Sequence, residues 1–139
     1  PISRSSNQVN NISNGGYLLK ENSEAQLTLV GSGSEVQLIL DAADMLNKEG
    51  IHVNVVSMPC LDIFLESDNS YQSSVIRSDL PILAVELGHP NSWYRLLNKN
   101  DKVLGIDSFG ESAPAKVLLD HFGFTVPNVT KMAKSLLDA

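Results

Sequence analysis

Apolar positions along the chain alternate between two periods, and that alternation predicts most of the fold. Tyr17–Lys20 and Ala25–Val30 read as strands, the second rich in Leu, Thr and Val. From Val36 the apolar residues Val36, Ile39, Leu40, Ala43 and Leu46 recur at helical spacing, and Gly50 supplies a stop. "HVNVVSM" (52–58) is the next strand, ended by Pro59, and 60–80 hold two short helical turns with Asp68 as a cap. Pro81 introduces "ILAVE" (82–86), the near-continuous apolar run of a strand buried on both faces. Asn91 caps a short helix through Trp93 and Leu97, and Val103–Ile106 is a fifth strand. A helix capped at Ser112 and stopped at Gly123 follows, then a C-terminal helix with Val129, Met132, Ala133 and Leu136 on one face. Strands alternating with helices imply a parallel sheet covered on both sides, a single three-layer αβα domain of the α/β class.

Residues 1–14, "PISRSSNQVNNISN", are mostly Ser and Asn and read as a linker, leaving 15–139 as the domain. A length of 139 residues suits one domain. The first residue is Pro1; an initiator Met trimmed away and a piece of a longer protein are both open readings. The net charge of -6 argues against a nucleic-acid partner, whose phosphates need clustered Lys and Arg. No apolar run reaches the roughly 18 residues of a membrane span. The lone Cys60 excludes an internal disulfide and suits a reducing compartment, and the expected location is the cytoplasm.

Candidate chemistry is sparse. "VGSGSEV" (30–36) joins a strand to a helix, where cofactor phosphates are often held. Gly31 and Gly33 fit the first two glycines of a dinucleotide fingerprint, but Val36 occupies the third, and the following strand ends in Val56-Ser57-Met58 without the acidic ribose partner. No Gly-Lys-Ser/Thr follows, so a P-loop fails too. Ser32-Gly33-Ser34-Glu35 matches a capping box, with Ser32 as cap and Glu35 reaching back. The second reading of the same residues, Ser32, Gly33 and Ser34, is an anion site at the helix N-terminus. His52, His89 and His121 lack ligand spacing, and no metal site is expected. His89 lies beyond a strand's carboxyl end beside Glu86 and near Trp93, where open sheets hold ligands, and a loop or interface role suits it better than catalysis. Cys60 reads as a packed thiol. Asp41 with Asp44, and Glu66 with Asp68, read as solvated faces or caps. No complete catalytic set emerges.

Five phrases together resemble the C-terminal domain of transketolase: "GGYLLK" (15–20), "GSEV" (33–36), "VVSMP" (55–59), "FGESAPA" (109–115) and "FGFT" (122–125). They stand in the family's order at fitting intervals, so the resemblance covers about Gly15 to Leu137. The resemblance implies a mixed, mostly parallel five-stranded sheet with Tyr17–Lys20 as an antiparallel edge strand, and a chain that starts at the seam after a preceding domain. It also implies membership of an enzyme that moves a two-carbon ketol unit between sugar phosphates with thiamine diphosphate and a divalent metal (Mg or Ca). In that family the cofactor signature, Gly-Asp-Gly followed by Asn, and the cofactor-activating glutamate belong to upstream domains, and this chain lacks the signature. No catalytic or cofactor residue carries over, so the implied role is architectural: packing on the upstream catalytic domains and supporting a homodimer, inactive alone. The expected interface is an apolar patch around His89, Trp93 and Tyr94 and the loop with Phe109, Gly110, Glu111, Ser112 and Pro114. Two alternatives are the matching domain of another thiamine enzyme (a deoxyxylulose phosphate synthase or a 2-oxoacid dehydrogenase component) and a small anion-binding regulatory module.

Overall fold

The computed structural model describes residues 2–86, 90–98, 101–105 and 123–138, with only the backbone described at 90–92. Five strands form one mixed sheet: β1 (Tyr17–Lys20), β2 (Leu27–Gly31), β3 (Val53–Ser57), β4 (Ile82–Val85) and β5 (Lys102–Leu104), ordered β1-β3-β2-β4-β5. β1 runs antiparallel to β3 and the other pairs are parallel. The expected mixed sheet with one antiparallel edge is therefore what the chain builds, within a residue or two at each strand end.

The parallel strands are sealed on both faces, which explains their unbroken apolar character. Side chains alternate along each strand. Leu27, Leu29, Val53, Val55, Leu83 and Val85 pack beneath α2 (Glu35–Lys48) and the C-terminal helix, α5 (Val126–Leu137). Val30, Val56, Ile82 and Ala84 face the other way, against Leu61 and Phe64 of α3 (Leu61–Glu66), Val75 of α4 (Asn69–Val75), and Trp93. α2 and α5 present their expected faces, Val36, Ile39, Ala43 and Leu46 against Val129, Ala133 and Leu136. Lys134 Nζ and Glu49 Oε1, 2.6 Å apart, pair across the outside of that contact. Gly50, at φ +79°, takes the left-handed turn that ends α2. Asp101 fixes the approach to β5: Oδ1 accepts from Ile82 N at 2.9 Å and Oδ2 from Asn98 N at 2.8 Å.

Three expectations need correcting. Ser6–Asn11 is a helix, α1, followed by a 3-10 turn at Ile12–Asn14, so regular structure begins within the polar stretch. It was invisible to periodicity because α1 has no buried residue; hydrogen bonds hold it. Second, Ser32 does not cap α2. The helix starts at Glu35, Ser34 occupies the cap position with helical backbone, and no side chain caps it. Gly33, at φ +58°, turns the chain so that the Ser32 hydroxyl faces the end of β4 instead. Third, the segment after β4 forms a 3-10 turn over Pro90–Arg95 rather than a helix to Leu97.

The helix expected between Ser112 and Gly123, with His121, lies outside the described residues. So do the interface candidates His89, Phe109, Gly110, Glu111, Ser112 and Pro114.

Candidate functional site: the crevice at the carboxyl ends of the strands

The chain leaves β2 toward β3 on one side and leaves β4 toward β5 on the other, so the direction of winding reverses between β2 and β4. Such a reversal opens a crevice above the strand ends, where open α/β sheets place their ligands. Here it measures about 200 Å³ and is lined by Ser32, Met58, Pro59, Cys60, Asp62, Glu86, Trp93 and Arg95.

Each wall follows from the local sequence. Gly31 ends β2 under tight packing; a Cβ there would stand 3.3 Å from the Ile39 side chain and 3.5 Å from the Val85 carbonyl oxygen. Ser32 then reaches Glu86, its Oγ donating to Oε2 at 3.5 Å. Ser34 Oγ lies 3.4 Å from Glu35 Oε2. At the end of β3, Met58 is buried and Pro59 stops the strand, setting Cys60 as the extended residue before α3. Asp62, in the first turn of α3, forms an ion pair with Arg95 of the 3-10 turn, which ties the two walls together.

Of the predicted anion-site residues, Ser32 and Ser34 thus each stand beside a carboxylate, and Gly33 between them. That arrangement opposes an anion through like charge. The predicted interface residues divide. Trp93 is only 3% exposed and belongs to the core cluster with Val30, Val56, Met58 and Phe64, so its indole is packing material and not surface. Tyr94, 59% exposed, faces outward, and Ile63 on the neighbouring α3 is 47% exposed. Cys60 is half-buried and free. His52 sits at the opposite strand ends, with Nε2 3.8 Å from Glu24 Oε2. Among the described residues, no group of three or more His, Cys, Asp or Glu side chains is placed to hold a metal ion, and no helix is long and apolar enough to cross a membrane.

Sequence reasoning missed the turn that buttresses the crevice from behind. Gly15 has φ +85°, and a Cβ on it would stand 2.3 Å from Cys60 O and 2.4 Å from Phe64 N. Its carbonyl accepts from Cys60 N at 2.9 Å. Gly16 is as tightly placed, 2.3 Å from Met58 Sδ by the same measure, and its carbonyl accepts from the Tyr71 hydroxyl at 2.6 Å. Burial pushes that phenol above its ordinary value of 10.0. The glycine pair therefore lets one loop lie directly on the start of α3.

The family model of the "Transketolase-like TK C-terminal domain" matches residues 15–125. The chain belongs to that family. This transketolase C-terminal domain is 45% identical over 136 residues to "Transketolase 1" of Vibrio vulnificus (strain YJ016), covering 96% of this chain and 20% of that protein. Its fold matches a crystal structure of transketolase from Campylobacter jejuni with a TM-score of 0.80 at 43% identity, over 89% of this chain and 19% of that one. Transketolase from Leishmania mexicana gives 0.85 at 35% identity, over 93% and 19%. The chain thus spans about a fifth of the length of the relatives it matches. Within the domain, "GGYLLK" is the glycine turn and β1, "GSEV" enters α2, and "VVSMP" ends β3 at the crevice. Three of the five phrases that carry the resemblance thus converge on one end of the sheet.

Proposed function

We propose that this domain serves a transketolase that moves a two-carbon ketol unit between sugar phosphates, and that its own contribution is architectural. The observation that carries this reading is the match: nearly the whole chain aligns with one fifth of proteins named transketolase. The domain packs against the other domains of its protein and supports a homodimer in the cytoplasm, with the crevice rim as the contact region. Exposed Tyr94 supplies an amphipathic ring of the kind enriched at interfaces.

Thiamine diphosphate would supply the electron sink for such chemistry, with a divalent metal to anchor its diphosphate. The described residues do not fit that group. Among the described residues no group of three or more His, Cys, Asp or Glu side chains is placed to hold the metal that would carry the diphosphate, and Arg95 at the crevice is already engaged by Asp62. The cofactor is accordingly assigned to other domains of the enzyme.

Calorimetry on the purified 139-residue chain with thiamine diphosphate and magnesium should show no micromolar binding, and a coupled sugar-phosphate assay no turnover. The same assay on the full-length protein should show ketol transfer. Saturable turnover by the chain alone would overturn the architectural role. Inactivity of the full-length enzyme toward ketose donors would overturn the assignment to transketolase chemistry.

A further inference from the structure

β1 is an edge strand, and edge strands offer unpaired backbone groups to any other chain. Its pairing with β3 is also interrupted. Tyr17 pairs with Ser57 and Leu18 with Val56, but Lys20 pairs with Val55, so Leu19 is the extra residue of a bulge. A bulge leaves ladder groups unmatched at that point.

One side chain from α1 answers both problems. Gln8 Nε2 donates to Leu18 O at 3.0 Å and to Leu19 O at 2.9 Å. The same amide's Oε1 accepts from Ser5 N at 2.8 Å, while Ser5 Oγ accepts from Gln8 N at 3.2 Å, a complete capping box. Beside it, Arg4 Nε donates to the hydroxyl of buried Tyr17 at 2.5 Å, and Ile2 packs on the core cluster beneath α2. Gln8 therefore uses both amide hydrogens and its oxygen at once, joining the start of α1 to the bulge.

We propose that residues 2–14 form a strap that closes the β1 edge, latched by Gln8 on the bulge. Because α1 buries no residue, its closure rests on these polar contacts, and it opens locally without the rest of the sheet. The strap turns into β1 through Gly15, whose carbonyl holds Cys60 N, so the latch also sets the loop behind the crevice. This inference is independent of the proposed enzymatic role.

The test is amide hydrogen exchange on the full 139-residue chain and two variants. Gln8→Glu keeps the acceptor for Ser5 N, and Glu is itself a capping-box residue, but it replaces the donor Nε2 with one carboxylate oxygen that faces the Leu18 and Leu19 carbonyls. Ser5→Ala removes the cap and leaves the donors. The expected result is exchange about tenfold faster or more in 5–20 for Gln8→Glu, a smaller rise for Ser5→Ala, and unchanged exchange in β2, β4 and α2. Wild-type exchange in 5–20 for Gln8→Glu overturns the latch. An equal acceleration across the whole domain also overturns it, since the strap is then no local device.

Discussion

Replacing Gly15 by alanine isolates the close approach of the glycine turn to α3, because Gly50 provides an internal control. Both have nearly the same left-handed backbone, φ +85° and +79°, but a Cβ on Gly50 meets nothing within 4 Å. Forcing alanine into that region costs about 1–2 kcal/mol, offset by about 0.4–1 kcal/mol from the stiffer unfolded chain. Gly50→Ala should thus lose about 1 kcal/mol. At Gly15 the new methyl would stand 2.3 Å from Cys60 O and 2.4 Å from Phe64 N, both backbone atoms. Relief requires the loop to back away by about 1 Å, an overpacking cost of about 1–3 kcal/mol. That shift also stretches the bond from Cys60 N to Gly15 O, worth about 1 kcal/mol. The total is about 4 kcal/mol, a large part of the about 5–15 kcal/mol that holds a domain folded. With an m-value of about 2 kcal/mol/M, urea midpoints should fall by about 2 M for Gly15→Ala and about 0.5 M for Gly50→Ala. Melts in which the two variants agree within about 1 kcal/mol would refute the reasoning.

Other expectations follow from single contacts. Thr125 Oγ1 accepts from Asn128 N at 3.2 Å and caps α5, so Thr125→Ala should cost about 1 kcal/mol in urea melts. Ser34→Ala should cost a few tenths by comparison, and the reverse order would mean the helix starts are misread. The Trp93 indole should emit at short wavelength and resist iodide quenching in the isolated chain, given its burial; free quenching would place it on the surface after all. Tyr71 has a raised pKa in the folded state because burial disfavours its phenolate. Its contribution is full below about pH 10 and is lost as pH climbs through the higher native value. Denaturation at pH 9 and pH 11 should show a loss in the wild type that Tyr71→Phe lacks, and equal losses in both proteins would remove the assignment.

The sheet was legible because its strands carry burial in their composition. "ILAV" and "VNVV" can only be buried on two faces, and the spacing of Val36, Ile39, Ala43 and Leu46 admits one helix face. What escaped was held by hydrogen bonds instead of apolar area. "SSNQ" carries a capping-box signature at Ser5 and Gln8, yet α1 has no apolar stripe to make it visible. At Ser32 the same kind of signature misled, because a match in spacing says nothing about Gly33 turning the hydroxyl toward Glu86. Trp93 misled differently: an aromatic at a strand end suits an interface and a core equally, and only the packing of α3 over the sheet decides between them. The glycine pair opens "GGYLLK", but its reason is the distance to Cys60 and Phe64, residues far along the chain.

The strand order has a consequence for how the chain is made. β1 is synthesised before β2, yet its partner is β3, which lies beyond α2. As the chain leaves the ribosome, β1 must therefore wait for Ser57, a delay of seconds at ordinary elongation rates of about 5–20 residues per second. Throughout that interval this domain's own sheet is not yet made, but every atom of the Gln8 contact already exists, since Ser5, Gln8, Leu18 and Leu19 all precede β2. The polar helix ahead of β1 is thus a neighbour that a nascent β1 can already hold. A short strand kept occupied in this way is shielded from neighbouring chains on the same message until the β2–α2–β3 unit arrives to receive it.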